Sequence, residues 1–454
     1  MRSVKLGTGT AYWGDTLLPA KDMVERADIQ YLCCDHLAEL TMSILTKQKR
    51  RNPDRGYTSD LIPLLRSVLP TARERGIRIV SDGGGANPQA AGRAVVDLCG
   101  ELGLTGLRIA VVDGDDVLDR IDHLMEQGIA FENLDTGEPL STVRDRLTHA
   151  NVYMGTDGIL EALERGADIV ITGRVTDPAL FLAPMRHELG WAADDWHRLG
   201  AGTGVAHVME CGGQATGGLY AGGWQKVPRK HEIGYPVGEV FENGEAVISK
   251  TPDSGGEVSP GTLSEQLVYE MHDPANYLTA DVVADVTNIT FTEVGPDRVR
   301  VSNVTGKERP AALKVNMGYE AGYIGEALFT FTWPDAYAKS VGGIEFLEER
   351  LRMAGFEADD VRVEYVGHTS MFGPGLVPEP DDPDQLEVAV RYAARCATAE
   401  QAAKVYRESV SLFNNGPAGA SGIGFAPPTK QLLAAWPTLI PREAMTAGVT
   451  MLEV

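Results

Sequence analysis

Short apolar runs recur along the first half of the chain, at 4–9, 29–35, 77–85, 107–116, 151–155 and 168–174. Each ends in an acidic or glycine-rich turn before a segment of helical spacing. This alternation predicts a parallel β-sheet with crossover helices. Apolar residues three and four apart predict helices over 37–50, 90–103 and 158–166, with Gly103 and Gly166 as carboxyl-terminal caps. Open parallel sheets bind ligands at the carboxyl ends of their strands. That rule nominates Asp35 and the turns 82–87, 113–116 and 173–177 as one rim.

After about residue 225 the pattern changes. Two hairpins are predicted, over 231–250 turning at Asn243-Gly244 and over 286–306 turning at Gly295-Pro296. Strand-like runs at 326–334, 361–372 and 386–396 then alternate with helical segments at 342–355 and 398–416. The expected fold class is α/β: a parallel-sheet N-terminal domain with crossover helices (1–225) carrying the glycine-rich loops, then an α+β domain rich in antiparallel strands (226–454). Within the latter, 262–286 reads as a bridging element. Its helix is expected to stop near Pro274 and to carry Glu265, Tyr269 and His272 on one face. The loop 373–385, rich in proline and acid, is expected to be exposed, and 414–425 is glycine-rich enough to serve as a lid.

Composition narrows the function classes. At 454 residues, 43% hydrophobic and 23% charged, this is an ordinary globular chain with no apolar run long enough to span a bilayer. No signal-peptide pattern opens it, so the expected location is cytoplasmic. Five scattered cysteines form neither a disulfide framework nor a Cys-x-x-Cys zinc pair. A net charge of -23 argues against nucleic acid or an anionic membrane as partner. A local basic cluster can still hold a phosphorylated ligand such as coenzyme A. Length and acidity are compatible with a homo-oligomer.

Several stretches carry candidate chemistry. Gly83, Gly84 and Gly85 follow a strand, where their amides can cradle an anion or carbonyl, and Asn87 adds a donor. The rival reading is a loop that lets helix and sheet approach. Asp35 and Glu39, four apart with His36 between them, suit acid–base work if both lie on the following helix; alternatively Asp35 caps that helix. Asp113, Asp115 and Asp116 have no second acidic cluster to complete a metal site, and no metal is expected. Arg174 emerges from a buried strand and can clamp a carboxylate or phosphate, or pair with Asp177. His207 and Cys211 share a helical stripe, beside Glu210. Spacing alone leaves open a thiol activated by histidine or a packed helix end.

Taken together, "YLCCDHLAELTMSIL" (31–45), "SDGGGANPQA" (81–90), "ADIVITGRVTDPAL" (167–180), "HVMECGGQATGG" (207–218), "SEQLVYEMHDPANYLTADVVAD" (264–285) and "GPAGASG" (416–422) resemble the core of the acyclic terpene utilisation (AtuA-like) family, in order along nearly the whole chain. The resemblance implies lyase or hydratase chemistry on a small branched or carboxylated acyl thioester, with coenzyme A as part of the substrate. Asp35 and Glu39 match the family's acidic pair, Asn87 closes its glycine loop, Arg174 and Asp177 belong to its Gly-Arg-x-x-Asp phrase, and His207, Glu210 and Cys211 to its His-x-x-Glu-Cys phrase. Relatives commonly carry a further small ferredoxin-like domain after this core. The resemblance therefore implies a separate small protein of that fold as partner. Two alternatives stand beside it: a Cys211-dependent thioester hydrolase or acyltransferase, and a non-catalytic subunit.

Overall fold

The computed structural model describes residues 1–373, 376, 385–422 and 429–454. Six of the early strands are β1 (Ser3–Thr10), β2 (Tyr31–Cys34), β3 (Arg78–Ser81), β4 (Arg108–Asp113), β5 (Leu147–Val152) and β6 (Ile169–Thr172). Five of them form a parallel set in the spatial order β1-β2-β3-β6-β4. Alternate residues of one strand serve two cores. Tyr31 and Cys33 share a core with Ile159, Leu180 and Val205, whereas Leu32 and Cys34 share one with Met23, Leu64 and Val95. Both faces are covered by helices, which is why these strands read as uninterrupted apolar runs.

The chain is thus mixed α/β, as expected, but its division differs from the boundary at 225. β7 (Pro236–Phe241) and β8 (Ala246–Lys250) form the hairpin predicted around Asn243-Gly244 and continue the same sheet, β7 pairing antiparallel with β1. The hairpin Thr290–Gly295/Arg298–Ser302 extends that edge, turning at Pro296 and Asp297. At the far edge Gly448–Glu453 pairs antiparallel with β4. The edges of a parallel set present unpaired backbone groups, and these antiparallel strands satisfy them. The compact units are therefore Met1–Gly318 with Ala435–Val454, and Tyr319–Ala434.

Two further expectations need correction. The run 151–155 does not join the parallel sheet: β5 pairs with the long strand Ala312–Thr332. The bridging helix is Pro260–Val268, capped by Ser259 Oγ on the amide of Thr262. It stops at Tyr269, whose backbone is extended, and Glu270 follows with φ of 57°. Tyr269 and His272 therefore do not continue the face of Glu265.

The unit Tyr319–Ala434 holds an antiparallel sheet in which Asp360–Val366 and Glu387–Cys396 pair beside the long strand. Phe329, Phe331 and Val390 pack with Ile344, Leu347 and Val405 of two helices, Ala336–Met353 and Ala399–Ser409. Most of 373–385 and residues 423–425 of the lid candidate lie outside the described residues. Within that candidate, Ala420–Gly422 is a strand paired with Phe329, Thr330 and Phe331. Among the described residues, no helix is long and apolar enough to cross a membrane.

The glycines of 199–204 are explained by packing. Helix Trp196–Glu210 crosses the strand Thr305–Lys307 so closely that a Cβ on Gly200 would overlap the Thr305 carbonyl oxygen. Gly200→Ala is expected to cost about 1–3 kcal/mol through overpacking, read as a lower Tm in calorimetry. An unchanged Tm would reject this close approach.

Candidate active site

The carboxyl ends of β1, β2, β3 and β6 converge. The sheet ladder runs one residue past the strands, with the Asp35 amide on Thr10 O at 3.2 Å and the Asp82 amide on Cys34 O at 3.4 Å. Helix Trp196–Glu210 ends beside them, tied down by Thr8 Oγ1 donating to Met209 O at 2.9 Å. Asp35, Asp82, Arg174 and Glu210 are all buried. They interact electrostatically: Asp35 feels the charges of Asp177, Asp82, Arg174 and Glu210. These residues form a buried, carboxyl-rich cluster at the strand ends.

Asp35 lies in extended chain, four residues before the helix Glu39–Arg51 begins, and its Oδ1 accepts the Leu37 amide at 3.1 Å. Desolvation, reinforced by the nearby charges of Asp177 and Asp82, pushes its carboxyl well above the usual range. Asp177 is pushed up as well by desolvation, with Arg174 working against it. Like charges this close do not all ionise together, so the cluster holds a proton more tightly than isolated carboxyls do. Glu39 does not pair with Asp35. Its carboxylate accepts Tyr153 Oη at 3.0 Å and faces Lys314 Nζ at 3.4 Å.

Arg174 is fully committed on three sides. One amino group donates to Leu37 O, the other to Asp177, and the guanidinium lies 4.3 Å from the ring centre of Tyr153. It neutralises the cluster rather than presenting a free two-pronged clamp. Among the described residues its Nε has no hydrogen-bond partner, and the same holds for Asp82 Oδ2 and Glu210 Oε2.

The glycine loop is mostly occupied by its own structure. The Gly83 amide donates to Ser81 Oγ and that of Gly85 to Asp82 O, each at 3.0 Å. A Cβ on Gly84 would lie 2.5 Å from Thr172 O, so this loop needs glycine to pass β6. Asn87 spends its side-chain amide on Pro53 O and Arg55 O, both at 2.7 Å, and holds a neighbouring loop. The aspartates of 113–116 diverge: Asp113 takes Gln89, Asp116 takes the Leu118 amide, and Asp115 takes Asn151 and the Arg174 amide. Burial lifts Asp115 to about 6.

His207 sits one turn before the helix end with both ring nitrogens engaged, Nδ1 with Glu210 Oε1 at 2.8 Å and Nε2 with Leu267 O at 3.1 Å. A carbonyl can only accept, so Nε2 carries a proton. Desolvation opposes a charge on this ring, but the Glu210 bond and charge prevail and its pKa is raised. His207 is thereby an orienter of Glu210 and has no nitrogen left for Cys211. The Cys211 thiol is pushed up by burial and by the Glu210 charge, the reverse of what a nucleophilic thiolate needs. Cys211→Ala is expected to retain turnover within about threefold, since the thiol is only a wall of the site; loss of activity in steady-state assays would restore the covalent route.

The family model of the acyclic terpene utilisation family protein AtuA matches residues 4–451. The chain belongs to this family. No curated protein and no solved structure matches it. In this AtuA family member Asp35, Arg174, Asp177 and Glu210 lie within electrostatic reach of one another, whereas Asn87 and Glu39 hold neighbouring segments. Two participants are not singled out by the sequence as site residues. Asp82 lies in the nominated turn 82–87, which the sequence marks for its glycines. Tyr277, 3.5 Å from His207 Nδ1 through its hydroxyl, follows an Asp-Pro pair with no periodic pattern to single it out. Burial and the Glu210 charge keep that phenol protonated.

Proposed function

We propose that this AtuA family protein is a lyase or hydratase, acting by acid–base chemistry on a small branched acyl thioester in acyclic terpene catabolism. The observation that carries the reading is the contrast among buried carboxyls: Asp35 raised by burial and neighbouring charges, and Glu210 held by His207 with no partner on its Oε2 among the described residues. A thioester carbonyl acidifies its α-hydrogens, so elimination of a β-hydroxyl needs a base for the α-proton and an acid for the departing oxygen. Glu210 Oε2 takes the α-proton, Asp35 protonates the leaving hydroxyl, and water departs as the double bond forms. Hydration runs the same steps backwards. Arg174 limits the repulsion among the carboxylates, and the Tyr277 hydroxyl is a neutral donor beside the base.

The test is incubation of the purified protein with branched β-hydroxyacyl and enoyl thioesters, with products followed by mass spectrometry. Interconversion by loss or gain of water, or carbon–carbon cleavage, is expected. Absence of product from all such thioesters rejects the function. Because relatives commonly carry a ferredoxin-like domain, the assay is run with and without a co-expressed small protein of that fold. Activity found only with it would make this chain one part of a two-component enzyme.

A further inference from the structure

The chain carries 64 acidic and 41 basic residues, yet one stretch runs the other way. The segment 47–55 holds Lys47, Lys49, Arg50, Arg51 and Arg55 against a single acid, Asp54, which faces Arg93 at 3.9 Å. Among the described residues no acid lies within ion-pair distance of Lys49, Arg50, Arg51 or Arg55. Lys49 donates to Ala86 O at 2.7 Å and Arg50 to Thr148 O at 2.9 Å. These carbonyls orient the two cations without neutralising them. Asn87 ties the segment to the glycine loop through Pro53 O and Arg55 O. Gly56 permits the contact, since a Cβ there would lie 2.7 Å from Lys49 Cβ and 3.2 Å from Asn87 Cβ.

Lys49 and Asn87 line a cavity of about 230 Å³ at the carboxyl ends of β3 and β4, together with Asp113, Asp116 and Asn151. Asp115, in the same lining, accepts the Arg174 amide, so the cavity adjoins the carboxyl cluster. Asp113 and Asp116 each spend one oxygen on a protein donor, Gln89 Nε2 and the Leu118 amide, and keep the other as an acceptor. A simple anion inside the cavity would meet these aspartates. A ligand with phosphates at one end and hydroxyl or amino donors beside them suits both features: the phosphates take charge-assisted bonds from the basic strip, and the donors meet the carboxylates. A local positive strip on an acidic chain also steers a polyanion to this one place. Resting on the thioester reading of the carboxyl cluster, we infer that segment 47–55 and this cavity hold the 3′-phosphoadenosine diphosphate end of a coenzyme A thioester. Asn87 positions the strip against the cavity.

The experiment is isothermal titration of the whole protein with coenzyme A and with 5′-ADP, in the native chain and in a double variant, Arg51→Glu with Arg55→Glu. Both side chains are exposed, and an Arg51→Gln, Arg55→Gln pair replaces the double variant if charge reversal lowers Tm. Coenzyme A is expected to bind the native protein and to bind the variant at least about tenfold more weakly. Added salt should weaken native binding more steeply than that of the variant. The ratio of kcat/KM for a coenzyme A thioester to that for the N-acetylcysteamine thioester of the same acyl group should fall by a similar factor. Equal affinity of coenzyme A for both proteins, or none for the native one, overturns the inference, while thioester turnover would leave the acid–base function standing. Binding of 5′-ADP as tight as that of coenzyme A overturns the coenzyme assignment in favour of a free nucleotide. Strip-dependent binding of coenzyme A without turnover of any thioester overturns the function and leaves this site standing.

Discussion

Asp35→Asn is expected to lose turnover and gain thermal stability together. The loss comes from the acid role: without an ionisable proton the departing hydroxyl is unassisted, and general acid catalysis contributes about 10²–10⁴-fold. The gain comes from linkage. The folded pKa of Asp35 is raised above its ordinary 3.8 by desolvation and the charges of Asp177 and Asp82. The native state therefore binds the proton more tightly than the unfolded chain, so stability falls as pH rises from about 4 through the folded pKa. Below about 4 both states are protonated and the penalty vanishes. Asparagine carries no such penalty, and its Oδ1 can still accept the Leu37 amide. At pH 7 the variant is expected to melt about 1–2 °C higher, the shift that about 1–2 kcal/mol gives in a protein of this size. The difference should shrink as the pH is lowered towards about 4. Calorimetry across that range, paired with a kcat measurement, checks both halves. A lower Tm at pH 7 rejects the strained carboxyl, and retained kcat rejects its use as the acid.

The parallel core was legible because its strands are buried on both faces. Continuous runs such as those ending at Cys34 and Thr172 leave little else for the chain to be. The rim was legible for a related reason: polar residues directly after such runs must lie at the strand ends, which put Asp35, Arg174 and Asp177 there from their position in the chain alone. The domain boundary was not legible. Hairpin periodicity at 236–250 specifies a local pairing but not which sheet edge it joins, and that is decided by the exposed edge of β1, far away in sequence. The roles of individual side chains were also hidden. Spacing put His207 on the stripe of Cys211, yet the carboxylate of Glu210, three residues on at the same helix end, takes the imidazole instead, with Leu267 O from another helix on its far side. Asn87 looked like a ligand donor because nothing in the sequence reveals that the carbonyls of Pro53 and Arg55 turn towards it.

The pairing of His207 with Glu210 leads to the second large expected effect. Glu210→Gln removes the proposed base while keeping size and shape, so kcat should fall by about 10²–10⁴-fold, with KM for an uncharged thioester changing little. The same variant should move the titration of His207. In the native protein desolvation lowers its pKa, and the Glu210 hydrogen bond and charge, with Leu267 O and Glu270, more than reverse this. Glutamine keeps an acceptor for Nδ1 but removes the charge, so the imidazole pKa should fall from its native value, which NMR of the labelled ring can follow. The stability consequence has a definite sign. A histidine whose folded pKa is raised contributes stability that is complete below about 6.5 and is lost as pH climbs through the raised value. The native protein's advantage over Glu210→Gln should therefore be largest near about pH 6 and smaller in mildly alkaline buffer. His207→Ala separates orientation from chemistry. It leaves the Glu210 carboxylate in place but free to rotate, so kcat should fall less than in Glu210→Gln. A larger fall in His207→Ala would reverse the assignment and make the imidazole the base.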